Sequence, residues 1–167
     1  MTLWLIGMMG SGKTTAGRLA ADSLGVAFFD TDDEVTASLG RPVPRIWDEL
    51  GEASFRESES AAIRRLAGEK AVVATGGGAI VDQANRDRMK ASGRVVWLRC
   101  LPEVLASRLE GSIGRPLLDG EESPAAALGA VLGARSIAYA EASDFEIDTS
   151  SLSVEEVAEE IEGLWPS

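Results

Sequence analysis

One stretch constrains this chain more than any other. Gly7-Met8-Met9-Gly10-Ser11-Gly12-Lys13-Thr14 satisfies G-x-x-x-x-G-K-[ST] at every fixed position. The apolar Leu3-Trp4-Leu5-Ile6 before it predicts a strand, and Ala16, Leu19, Ala20 and Leu24 after it predict the buried stripe of a helix that Gly25 ends. A strand that turns into a helix through such glycines aims successive N–H groups into one concavity, and the helix adds the positive end of its dipole. The segment is therefore expected to cradle a triphosphate with the amides of Gly10, Ser11, Gly12 and Thr15. Lys13 is placed to reach the β- and γ-phosphates, and the Thr14 hydroxyl to ligate Mg²⁺.

Beyond the motif, short apolar or β-branched runs alternate with segments of helical period. Strands are expected at 3–7, 26–29, 71–75, 94–99 and 144–148. Helices are expected at 13–24, 32–39, 44–50, 52–67, 82–91, 102–110, 123–141 and 153–164. That rhythm predicts an α/β fold: a parallel sheet with helices on both faces. Pro42, Pro44, Pro102 and Ser123-Pro124 stand where helices are expected to begin. A length of 167 residues suits a single domain over 1–167, and the glycine-rich stretch between Glu110 and Ser123 reads as a loop.

Composition narrows the chemistry. With no histidine and one cysteine, Cys100, the usual zinc sites and the Ser-His and Cys-His nucleophile pairs are absent. Catalysis falls to carboxylates, lysine, arginine, backbone amides or a hard metal ion. A net charge of −11 argues against a nucleic-acid partner, because phosphate neutralisation needs a basic patch. No apolar run approaches the roughly 18 residues of a membrane span, and no leader pattern precedes Leu3. The expectation is a cytoplasmic monomer that contacts no membrane. No basic residue follows Arg135, and the acidic segment after it reads as a solvated helix face.

Three further stretches carry candidate chemistry. Phe28-Phe29-Asp30-Thr31-Asp32-Asp33 is an apolar strand ending in carboxylates, at the rim where a parallel sheet also puts the phosphate loop. Two aspartates two apart face the same way, so one can hold Mg²⁺ through water while the other orients or deprotonates an attacking hydroxyl. Equally, either can simply cap the next helix. Gly76-Gly77-Gly78 follows the third strand and permits close approach of a ligand to the backbone. Arg56 lies near the start of a helix that also carries Glu57, Glu59 and Arg64, where an arginine is ordinarily half of a surface ion pair.

Taken together, Gly7 to Thr14, Asp30-Thr31-Asp32, Gly51-Glu52 with Phe55-Arg56, Gly76-Gly77-Gly78 and Arg115-Pro116-Leu117-Leu118 resemble the shikimate kinases in order and spacing. The resemblance implies a P-loop kinase fold, a three-layer sandwich whose five-stranded parallel sheet has the order 2-3-1-4-5. It implies phosphorylation of the 3-hydroxyl of shikimate, with ATP as co-substrate and Mg²⁺ as cofactor. On these positions it makes Asp32, Arg56, Gly77, Gly78 and Arg135 contacts of shikimate, with Trp47 and Phe55 as apolar walls. Lys13 and Arg115 would bind the transferring phosphoryl group, Thr14 and, through water, Asp30 the metal, and Arg108 would lie against the adenine. It also implies an acceptor-binding segment at about 32–62 and a lid at about 111–123.

The chain departs from the family's pattern at three places. Arg135-Ser136-Ile137-Ala138-Tyr139 lacks the proline usual between the arginine and the tyrosine. Ser150 and Ser151 stand where many relatives place a basic residue near the adenine, and Trp47 stands for the commoner phenylalanine. Two alternatives stay open on the sequence: a kinase of the same fold for another small hydroxy acid such as gluconate or for a nucleoside monophosphate, and a catalytically silent nucleotide-binding regulator.

Overall fold

The computed structural model describes residues 1–110 and 123–165. Strand β1 (Thr2–Ile6) leads through the glycine loop into helix α1 (Lys13–Leu24), followed by β2 (Ala27–Asp30), α2 (Thr31–Leu39) and α3 (Val43–Leu66). Then come β3 (Ala71–Ala74), a short 3₁₀ turn (Ala79–Val81), α4 (Gln83–Ser92), β4 (Gly93–Arg99), α5 (Pro102–Leu109), α6 (Pro124–Ala142), β5 (Phe145–Asp148) and α7 (Val154–Gly163). The strands form one parallel sheet in the order β2-β3-β1-β4-β5. The expected lid at 111–123, with Arg115, lies outside the described residues except for Ser123.

Alternation along the strands divides the core into two layers. Leu3, Leu5, Val72, Val96, Leu98 and Ile147 face α1 and α7, whereas Trp4, Ile6, Val73, Val95 and Trp97 face the layer built by α3, α4, α5 and α6. Helix α1 approaches the sheet closely because its buried residues are small: Ala16, Gly17, Ala20 and Ala21. Leu19, expected in that stripe, is exposed. A larger side chain at position 17 would hold the helix away from the sheet, because Leu5 already sits where a Cβ on Gly17 would lie. Proline and serine start the helices as expected: Pro44, Pro102 and Pro124 occupy first-turn positions, and Ser123 accepts from the Ala126 N–H. Every strand's carboxyl end reaches the same rim, so the loops after β1, β2, β3 and β5 meet there.

Candidate active site

The phosphate loop occupies that rim between β1 and α1. Gly7, Gly10 and Gly12 have φ of 148°, 80° and 93°, values that side chains with a Cβ rarely adopt, which is why the turn needs glycine at these places. Lys13 is buried, and its Nζ donates to Gly7 O at 2.9 Å and Met8 O at 2.8 Å. Thr14 Oγ1 donates to Asp30 Oδ2 at 2.7 Å. Ser11 Oγ is buried without a hydrogen-bond partner among the described residues, as expected of a hydroxyl in an anion cradle. Around this loop opens a cavity of about 640 Å³ that Asp30, Asp32, Arg108, Thr149 and Leu152 also line.

The two aspartates converge, but not as strand neighbours. Asp30 ends β2 and caps α2, its Oδ1 accepting from the Asp32 N–H at 3.0 Å, while Asp32 belongs to the helix. Capping and a place beside Thr14 are therefore both properties of Asp30. Burial, and then the charge of Asp30, raises the Asp32 carboxyl above its ordinary value, with Lys13 pulling the other way. At the far end of the cavity Arg108 donates to Thr149 O at 2.6 Å and to Gly10 O at 3.3 Å, joining the phosphate loop to the turn after β5.

A second cavity of about 410 Å³ adjoins the first, and Met9, Asp32, Gly76 and Gly77 line both. Its other walls include Trp47, Phe55, Arg56, Gly78 and Arg135. Two ring faces hold the Arg56 guanidinium, Trp47 at 5.6 Å and Phe55 at 5.3 Å. Its Nη1 donates to Glu59 Oε2 at 2.8 Å. The Glu59 side chain is wholly buried, and burial raises its carboxyl above the ordinary value against the attraction of Arg56. Arg56 is thus fixed at a cavity wall rather than left on the surface. Trp47 packs partly against the small core of Val35, Ile46 and Phe55, and Ile46 is buried whereas Leu50 is exposed.

Shikimate kinase is the family whose model matches this chain, over residues 9–164. The chain belongs to the shikimate kinase family. Among its relatives, the shikimate kinase of Geobacter sulfurreducens is 46% identical over 158 residues, 94% of this chain and 86% of that protein. That of Cupriavidus pinatubonensis is 44% identical over 157 residues, 93% of this chain and 81% of that protein. A solved shikimate kinase from Acinetobacter baumannii in complex with shikimate has a TM-score of 0.90 at 37% identity, covering 96% of this chain and 89% of that one. A gluconokinase from Sinorhizobium meliloti has a TM-score of 0.58 at 19% identity, a likeness of fold alone.

The departures from the shikimate kinase pattern have local structural accounts. Without the proline, α6 runs unbroken from Pro124 to Ala142 and turns Ile137 outward, 72% exposed. Ser150 serves the backbone: its Oγ accepts from the Leu101 N–H, and its N–H donates to Asp148. The Ser150 side chain, and then its N–H, hold the Asp148 carboxyl below its ordinary value. Two residues in the site had no assigned role in the sequence reading. Glu59 could have been found, because it falls on the stripe of Phe55, Ala62, Ile63 and Leu66 that α3 buries, a lone carboxylate on an apolar face. Tyr139, whose hydroxyl donates to Gly77 O at 2.6 Å, had only its spacing from Arg135 to mark it.

Proposed function

We propose that this chain transfers the γ-phosphoryl group of ATP to the 3-hydroxyl of shikimate across the wall the two cavities share. The observation that carries the reading is that Asp32, Gly76 and Gly77 line both the phosphate-loop cavity and the arginine-bearing one. A donor phosphate held by the loop and an acceptor held by the arginines would meet there. Gly10, Ser11, Gly12 and Thr15 present the loop to the phosphates, and Lys13 stabilises charge that grows on the transferring group. Asp32 orients the acceptor hydroxyl and takes its proton, a role that its raised carboxyl and its place at the shared wall suit. Arg56, braced by Glu59, and Arg135 bind the acceptor's carboxylate, and Arg108 borders the base. Arg115 is proposed for the transferring phosphoryl group on the family's pattern, with 32–62 as the acceptor-binding segment and 111–123 as the lid.

The oxygen donors of Thr14 and Asp30, 2.7 Å apart beside the loop, fit a hard divalent cation such as Mg²⁺. When bound, such an ion neutralises charge on the β- and γ-phosphates. ADP release measured against shikimate, quinate, gluconate and nucleoside monophosphates tests the acceptor. Release with shikimate far above the others is expected, and preference for another acceptor would contradict the reading. Lys13→Met should lower turnover by ~10²-fold or more with an unchanged circular dichroism spectrum, the scale of losing one electrostatic stabiliser. Wild-type turnover in that variant would remove the phosphate loop from the mechanism.

A further inference from the structure

We infer that Tyr139 is a positioning residue for the acceptor, its phenolic hydroxyl holding the Gly77–Gly78 peptide in place beside Arg135. The inference rests on the shikimate reading above. Tyr139 is fully buried, and its ring stacks on Trp97 with centroids 5.3 Å apart and planes 11° from parallel. The hydroxyl donates to Gly77 O at 2.6 Å, and the positive charge of Arg135 acts on the same phenol. Tyr139 and Arg135 both sit on α6 and Gly77 on the turn after β3, so this hydroxyl ties two walls of the acceptor cavity together.

Both ends of that link matter for a carboxylate. In a trans peptide the carbonyl and the following N–H point in opposite directions, so a Gly77 carbonyl pinned to Tyr139 turns the Gly78 N–H away from the phenol. Gly78 lies directly against the Arg56 guanidinium, and neither the Gly77 nor the Gly78 N–H donates to an atom among the described residues. These are donors left for a ligand beside the two arginines. Burial pushes the phenol up to about 12, so it stays a donor to Gly77 at any working pH.

Tyr139→Phe keeps the ring on Trp97 and removes one oxygen. The KM for shikimate should rise about tenfold, the upper end of what one buried hydrogen bond contributes, while kcat and the KM for ATP stay within about twofold. Trp97→Phe, which loosens the same stack without touching the oxygen, should lower the thermal midpoint and leave the shikimate KM near wild type. In an Arg135→Ala background Tyr139→Phe should cost less than it does alone, because the carboxylate has already lost the arginine that stands beside the peptide the hydroxyl holds. An unchanged shikimate KM in Tyr139→Phe beside a raised one in Arg135→Ala would overturn the inference and spare the acceptor reading. An unchanged KM in Arg135→Ala itself would remove both. Parallel loss of shikimate and ATP affinity in Tyr139→Phe and Trp97→Phe alike would reduce Tyr139 to packing and overturn the inference as well.

Discussion

Asp32 and Glu59 each keep one buried carboxyl oxygen without a hydrogen-bond partner among the described residues, and burial raises both groups above the ordinary carboxylate range. An acid whose folded-state pKa exceeds its unfolded value binds protons more tightly when native. Its contribution to stability is therefore present at low pH and lost as pH rises through the folded value. At neutral pH these two groups oppose folding, and they are also the groups placed to handle the acceptor. Asp32→Asn should accordingly raise the thermal midpoint at pH 7 while lowering turnover, and calorimetric scans should show the gain shrinking as pH falls. Activity has the opposite sign, since the proposed base acts only when ionised. The kcat/KM for shikimate should fall as pH drops through the raised Asp32 value, and Asp30→Asn, which removes the second-largest cause of the shift, should move that limb to lower pH. Arg56 belongs to the same set. Arg56→Ala should weaken shikimate binding by calorimetry about ten- to a hundredfold, the loss of a charge-assisted pair worth roughly 1.5–3 kcal/mol, and leave ATP binding unchanged.

Helix α3 shows how one backbone position shapes a pocket. Gly51 interrupts it with φ 82° and ψ 165°, and the halves on either side carry Trp47 toward the cavity from one direction and Phe55, Arg56 and Glu59 from the other. A Cβ at Gly51 would meet no atom within 4 Å, so the cost of Gly51→Ala is one of backbone conformation alone. At about 1–3 kcal/mol that cost should lower the thermal midpoint by roughly 2–12 °C and raise the shikimate KM, whereas the ATP KM should hold. The same element marks where sequence reading succeeds and stops. Helices ending at 50 and restarting at 52 were legible from Gly51 and the apolar spacing, because both are local. The pairing of Arg56 with buried Glu59 was not, since Glu57 and Glu59 look alike until the packing of α3 buries one and exposes the other. Asp30 and Asp32 were legible as a pair from their spacing, but the cap that brings them together across the turn from strand to helix was only one of the readings the sequence left open.

At the scale of the whole molecule, two cavities at the carboxyl rim of a β2-β3-β1-β4-β5 sheet adjoin at Asp32, Gly76 and Gly77. The sheet was legible because β1 to β4 carry short apolar runs, and β5 an apolar alternation, bounded by glycine, proline or polar residues. The junction was not, because Asp32 on α2 and Gly76–Gly77 after β3 stand far apart in sequence and only topology brings them together. Whether shikimate enters the arginine-bearing cavity is the claim on which the account turns, and Trp47 reports on it. Trp4 is buried with its indole N–H on Ser92, Trp97 is buried under Tyr139, and Trp165 packs on the opposite face of the sheet, so none of these three lines the cavity. Titrating shikimate into the protein should change its intrinsic fluorescence saturably, and Trp47→Phe should abolish the change while the enzyme keeps its activity. A change that persists in Trp47→Phe, or a wild-type protein blind to shikimate but responsive to gluconate, would contradict the account.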